Sequence, residues 1–194
     1  MRQYLVILGA IIQLVGVSSY IRGTLRGVTK PNRVTWLLWG VIPLIATAAS
    51  VSEGVRWAVL SVFMAGLGPL MVFGFSFANR NAYWKLGRLD YVCGAFSVAA
   101  IVLWVLTNDA VIAIVLSIIA DALAAIPTLA KSWHQPETEN TGPYWAGMFS
   151  QLTAVAAFKL FTFSELAFPI YLFIINVTLV LIIKKDALSA RRTG

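Results

Sequence analysis

One acidic residue lies deep inside an apolar stretch and is the side chain in this sequence best suited to chemistry. Asp121 is separated from the nearest charged residues, Asp109 and Lys131, by uncharged residues on both sides. A carboxylate inside a hydrocarbon layer is costly, and such residues typically mark proton relays, ion pathways or counter-ions. We therefore predict that Asp121 binds substrate and couples transport to protons. The alternative is a neutral aspartic acid that hydrogen-bonds to a neighbouring helix and serves packing alone.

Four other residues are candidates for the lining of a polar site, and two prolines are candidates for hinges. Gln13 and Gln151 lie inside apolar stretches, where a glutamine either lines a pocket or joins two helices. Trp39 lies about one turn inside its stretch, and is either a stacking surface or part of an interfacial belt, the role we expect for Trp36 and Trp145. The predicted substrate-binding set is Gln13, Trp39, Asp121, Gln151 and Asn176, with hinges at Pro43 and Pro127, where proline interrupts the helix ladder.

Catalytic and metal-binding constellations are absent from the sequence. His134 is the only histidine and is expected in a loop, and Cys93 is the only cysteine. No Ser–His–Asp set and no thiolate cluster can therefore form. An intramembrane enzyme would need further acid–base groups at the depth of Asp121. We expect no enzymatic activity, no cofactor and no metal.

Long apolar stretches must position these residues. The 194 residues are 59% hydrophobic and 12% charged, about half the charge of a soluble domain. About 20 apolar residues are needed to cross a hydrocarbon core of about 30 Å. The stretches of this kind are 4–23, 34–52, 55–78, 88–107, 110–131, 143–161 and 165–183. They predict an all-α membrane protein with seven transmembrane helices.

The basic residues predict the orientation of these helices. Of the 15 basic residues, all but Arg2, Arg56 and Lys159 fall on one side of the predicted membrane, Lys131 among them. The positive-inside bias then places the N-terminus outside and the C-terminus in the cytoplasm. The net charge of +7 therefore reflects the orientation of the helices in the membrane. No basic domain surface for nucleic acid is expected.

An ordered set of matches at one constant offset along the chain predicts an internal repeat. Gln13 matches Asp121, Asn32 matches Asn140, and the aromatic starts at 35–39 and 143–145 also correspond. Two three-helix units keep the same orientation only if one further helix joins them, which gives parallel repeats about an axis along the membrane normal. The predicted units are 1–80, a linker helix at 81–108, and 109–194 with a short cytoplasmic tail.

The segment Pro127-Thr128-Leu129-Ala130-Lys131-Ser132-Trp133 resembles a motif of the SWEET and PQ-loop superfamily of transporters, in its bacterial branch. That motif places a proline, a short spacer, a basic residue and an aromatic at the cytoplasmic end of a unit's first helix. The resemblance implies the 3+1+3 arrangement and location in the bacterial plasma membrane. It also implies that Asn176 matches the pocket asparagine found on the third helix of a unit.

These features together predict a transporter or facilitator of a small polar solute that resembles a sugar, an amino acid or a vitamin. Alternating access would arise between the two three-helix units, and Asp121 would couple it to protons. The alternative is a receptor or scaffold with the same fold that acts through its basic cytoplasmic loops. The expected partners are the solute and the lipid bilayer, and the open edge of a seven-helix unit could support a homo-oligomer.

Overall fold

The structure, a computed structural model, describes residues 2–52, 59–107, 110–157 and 163–185. Within these ranges the chain forms seven α-helices and no strands, which confirms the predicted all-α class. The helices are α1 (Arg2–Leu25), α2 (Arg33–Ser52), α3 (Val59–Phe75), α4 (Arg88–Leu106), α5 (Ala110–His134), α6 (Gly142–Ala157) and α7 (Phe163–Ile183). Arg56, Lys159 and the predicted tail at 186–194 lie outside the described residues.

The predicted limits were wrong at the end of α5, which continues to His134. His134 is therefore a helical residue and not a loop residue. The extension has a local cause, because Pro136 follows and a helix ends at or before the residue that precedes a proline. The carbonyl of Lys131 still accepts a hydrogen bond from the Gln135 N–H at 2.7 Å.

The helices have the length and surface of membrane spans. Four segments are long and apolar enough to cross a membrane, namely Tyr4–Leu25, Arg88–Leu106, Ile114–His134 and Leu166–Ile183. On α4, Val98, Val102 and Val105 lie on one face and are all exposed. An exposed apolar surface of this kind is unfavourable in water and suits lipid. The chain is an integral membrane protein.

Helix contacts follow a pattern within and between two groups, which we call the first triplet (α1–α3) and the second triplet (α5–α7). In each triplet the third helix packs against both others, α3 against α1 and α2, and α7 against α5 and α6. Between the triplets, α1 packs against α6 and α2 packs against α5. Helix α4 packs against α5 and, less extensively, α2.

Small residues bring α1 and α6 into close contact. A Cβ atom at Gly16 would lie 2.4 Å from the Cβ of Ala146 and 2.7 Å from the carbonyl oxygen of Gly142. A Cβ atom at Gly9 would lie 2.5 Å from the hydroxyl of Thr153. Small residues let membrane helices approach closely enough for backbone contact. Gly9 and Gly16 therefore determine which face of α1 packs against α6. Gln13 lies between these two glycines in the sequence.

Two asparagines that correspond in the predicted repeat lie just before the second helix of each triplet. The Asn32 side-chain oxygen accepts from the N–H groups of Val34 and Thr35 at 3.1 and 3.3 Å, as an N-cap does. The Asn140 side-chain oxygen accepts from the Gly142 N–H at 2.7 Å. Asn32 also donates to the carboxylate of Asp90, so it ties the start of α2 to α4.

Candidate functional site

A cavity of about 80 Å³ lies between the two triplets. A buried water needs about 10–15 Å³ by this measure, so the cavity has room for several waters or a small solute. Among the described residues, its wall comes from six helices, and α4 contributes nothing to it. The cavity is therefore formed by the two triplets alone.

The structure brings all five predicted substrate-binding residues to this cavity. They are Gln13 on α1, Trp39 on α2, Asp121 on α5, Gln151 on α6 and Asn176 on α7. Of the predicted hinges, Pro43 lines the cavity as well. Pro127 is buried within α5 and does not belong to the described wall. The binding and hinge roles of these residues stay predictions.

Asp121 is held from two sides by the other helices of the wall. Its side chain is buried, with 3% of the residue exposed. The hydroxyl of Tyr171 on α7 donates to Asp121 Oδ2 at 2.8 Å. The Trp39 indole N–H donates to the Asp121 main-chain carbonyl at 3.4 Å. An ionised carboxylate accepts up to about four hydrogen bonds, so one hydroxyl leaves acceptor capacity for a bound solute.

Two buried polar atoms of the wall lack partners among the described residues. They are Gln13 Oε1 and Trp36 Nε1. Buried polar groups in proteins are nearly always hydrogen-bonded, so each unpartnered atom requires an explanation. Both residues line the cavity, although the two atoms themselves are buried.

Two prolines add main-chain acceptors to the same wall. Pro43 and Pro69 carry no N–H, so the carbonyls of Trp39 and Ala65, four residues earlier, lose their helical donors. All four residues line the cavity. The wall therefore includes two residues whose carbonyls lack a helical donor.

Asn176 lies against a glycine that makes space for it. A Cβ atom at Gly147 would lie 2.9 Å from Asn176 Nδ2. Asn176 Nδ2 donates to the Leu172 carbonyl of its own helix at 2.7 Å. The amide oxygen of this side chain is thereby held at one position in the wall by α7 itself.

The expected interfacial role of Trp36 was wrong, because only 2% of this residue is exposed. Its ring lies between Tyr20, at 4.6 Å between centroids, and Tyr144, at 6.4 Å. Spacing could have revealed this position, since Trp36, Trp39 and Pro43 recur at i, i+3 and i+7 on one helix face. Trp145, in contrast, is 49% exposed, as expected for a surface anchor.

A buried ion pair lies beyond these aromatic rings. Lys131 Nζ contacts Glu139 Oε1 at 2.5 Å, and both side chains are fully buried. The Tyr144 hydroxyl donates to Glu139 Oε2 at 3.1 Å, and Lys131 also donates to the Lys30 carbonyl. We call the set Tyr20, Trp36, Tyr144, Lys131 and Glu139 the loop layer. It closes the cavity toward the α1–α2 and α5–α6 loops.

Sequence reasoning missed Tyr171 and the Lys131–Glu139 pair for different reasons. Tyr171 carries a polar tip inside the apolar α7, which is a signal that could have been used. The ion pair depends on how the turn Pro136–Thr138 folds back against α5, and no spacing rule reports that. Neither a protein-family model, nor a curated protein, nor a solved structure matches this chain, so its function must be inferred from the geometry of the cavity.

Proposed function

We propose that the chain is a membrane transporter or facilitator of a small polar solute, which binds in the cavity between the two triplets. The observation that carries the proposal is that Gln13, Trp39, Asp121, Gln151 and Asn176 converge on that cavity from five helices. Buried carboxamide and carboxylate groups are costly in a membrane unless they meet a partner or a substrate. A cavity at the interface of repeated units is where transporters bind their substrates.

The proposed architecture is seven spans in a 3+1+3 parallel repeat, with the N-terminus outside and the C-terminus in the cytoplasm of a bacterial plasma membrane. The reciprocal contacts α1–α6 and α2–α5 support it, because a two-fold operation that relates the triplets exchanges these two pairs. The stacked rings of Trp36 and Tyr144 add support, since these two residues have the same offset as Gln13 and Asp121. The resemblance to the SWEET and PQ-loop superfamily agrees with this architecture.

Alternating access in this proposal requires that the loop layer opens. Hydrogen bonds near it join the triplets, among them those from Lys131 Nζ to the Lys30 carbonyl and from the Ser19 hydroxyl to Asn140 Oδ1 at 3.2 Å. Both must break when the loop end of the cavity opens. Pro43 and Pro127 interrupt the helix ladders of α2 and α5 and are the proposed bending points.

Transport is tested in vesicles that contain the purified full chain, with glucose, glycine, nicotinamide and choline as probe solutes. We expect at least one of them to enter faster than into protein-free vesicles, measured by light scattering. Asp121→Asn should abolish any dependence of that flux on an imposed pH gradient. The control is Gly74→Ala, because a Cβ atom there meets nothing within 4 Å. Unchanged flux in Asp121→Asn with and without the gradient would refute coupling, and no accelerated solute would refute transport.

A cross-link tests alternating access separately from binding. Cysteines replace Ser19 and Asn140 in a Cys93→Ser background, so that no other thiol is present. A short bifunctional thiol reagent should then stop flux, and reduction should restore it. Equal flux in the linked and reduced proteins would exclude opening at this end. It would favour the receptor or scaffold interpretation if loop charge substitutions alone affected function.

A further inference from the structure

We infer that the solute is an organic monocation that places its charged group at Asp121. This inference rests on the proposed function and specifies the chemical class of the solute. The charges, the acceptors and the aromatic rings of the cavity wall support it.

The charges of the cavity wall are unbalanced. Asp121 is the only acidic residue in the described wall, and that wall contains no arginine, lysine or histidine. Lys131 is ten residues further along α5, about 15 Å away at 1.5 Å per residue. Its amine is already paired with Glu139 at 2.5 Å. A carboxylate buried without a counter-ion is unfavourable, and a cationic solute supplies that counter-ion.

The hydrogen-bonding groups of the wall favour a solute that carries donors. Gln13 Oε1 is an acceptor with no partner among the described residues. The carbonyls of Trp39 and Ala65 lack helical donors because Pro43 and Pro69 follow them. An ammonium or guanidinium group supplies donors of this kind.

Aromatic rings of the wall can stabilise the same charge. The rings of Trp36 and Trp39 meet edge to face with centroids 5.6 Å apart, and Trp36 stacks with Tyr144. All three residues line the cavity. The face of an indole attracts an organic cation most strongly of the aromatic side chains, and desolvation increases the effect. A single carboxylate neutralises a single charge, so the wall selects monocations over dications and anions.

The test compares cations with uncharged molecules of the same shape. Binding to the purified full chain in detergent is measured by calorimetry for choline against 3,3-dimethylbutan-1-ol, and for guanidinium against urea. We expect at least one cation to bind about tenfold or more tightly than its neutral isostere. Asp121→Asn should abolish this preference, and Asp121→Glu should retain it. Thermal unfolding of each variant establishes that it is folded.

The outcomes separate this inference from the proposed function. Equal affinity within both pairs, or an unchanged preference in a folded Asp121→Asn, would overturn the monocation. Flux of glucose or glycine into vesicles, without binding of either cation, would also overturn the monocation. The transport proposal would stand in that case. If no probe binds and no solute enters the vesicles faster, both fail. Should Asp121→Asn not fold, the paired affinities of the parent chain decide.

Discussion

The two triplets present different chemistry to one cavity at positions that correspond in the predicted repeat. Gln13 in the first triplet corresponds to Asp121 in the second, Trp39 corresponds to Gly147, and Pro43 corresponds to Gln151. The first triplet therefore contributes indole surface and neutral acceptors, and the second contributes the charge and most of the amides. Since both halves position these residues with similar helices, the contrast arises from side chains alone.

In the proposed parallel repeat, this difference would give the site a direction. Two identical halves would hold a solute equally well in either of two orientations. Replacing a glutamine by an aspartate in one half, and a glycine by a tryptophan in the other, removes that degeneracy. The proposed cationic solute would then bind with its charge toward α5 and its apolar body toward α2. Architecture positions the site, and a few substitutions set its chemistry.

The loop layer differs between the triplets in the same way. Lys131 and Glu139 form a buried ion pair in the second triplet, whereas Gly23 and Pro31 occupy the corresponding positions of the first. The amine of Lys131 also reaches the Lys30 carbonyl of the first triplet. The second triplet therefore supplies the ion pair of the loop layer, and Lys131 links that pair to the first triplet.

The largest effect is expected from breaking that ion pair. Lys131→Met leaves the Glu139 carboxylate buried without its partner and should lower the free energy of unfolding by about 3–5 kcal/mol. Denaturant unfolding in detergent measures it. The control is Lys30→Met, which keeps the main-chain carbonyl that Lys131 contacts. Equal losses in both variants would mean that loop charge in general, and not this pair, stabilises the layer.

A smaller loss is expected from a methyl group at the contact of α1 with α6. Gly16→Ala places Cβ 2.7 Å from a backbone oxygen, and overpacking of this kind costs about 1–3 kcal/mol. Ala124, its counterpart in the second triplet, already carries a Cβ atom. The requirement for glycine therefore applies only to the contact of α1 with α6. Gly74→Ala is the matched control and should be neutral or stabilising. If Gly16→Ala melts at the parent temperature, α1 and α6 are not as close as described.

Two asparagines before the second helices allow a comparison of the triplets. Asn32→Ala should lose about 1 kcal/mol, the usual contribution of an N-cap, and Asn140→Ala should lose about 0.5–1.5 kcal/mol with the bond to the Gly142 N–H. Asn32→Ala should lose more, because Asn32 also donates to the buried Asp90 carboxylate, whereas the other partner of Asn140 is the part-buried Ser19 hydroxyl at 3.2 Å. Thermal unfolding of the two variants in parallel measures the difference. A larger loss of stability in Asn140→Ala would mean that the bond between Asn32 and Asp90 does not make Asn32 the more important of the two asparagines.

Hydropathy could predict the helices, since apolar length alone determines where a chain crosses a membrane. Polarity also identified three residues of the cavity, because Gln13, Asp121 and Gln151 are polar groups in apolar helices that need an interior. Both inferences use properties of the local sequence, and the described residues agree with both.

The contacts between loops could not be predicted in this way. Lys131 carries the same charge whether it is solvated or buried, and only the turn Pro136–Thr138 brings Glu139 to it. Pairings of this kind depend on tertiary structure, and propensity and periodicity carry no information about them.

The smallest effect is expected at Trp39, and it tests what the first triplet contributes. Its indole N–H lies 3.4 Å from the Asp121 carbonyl, a long hydrogen bond, so Trp39→Phe should change the free energy of unfolding by less than about 1 kcal/mol. Because Phe keeps a ring face, affinity for choline or guanidinium should fall only a few-fold, about what separates Trp from Phe as a cation–π partner. Trp39→Leu removes the face and should weaken the cation more than its neutral isostere, whereas Trp145→Phe on the exposed surface should change neither. If Trp39→Leu weakens both members of a pair equally, the ring supplies shape alone, and selection for charge comes entirely from the second triplet.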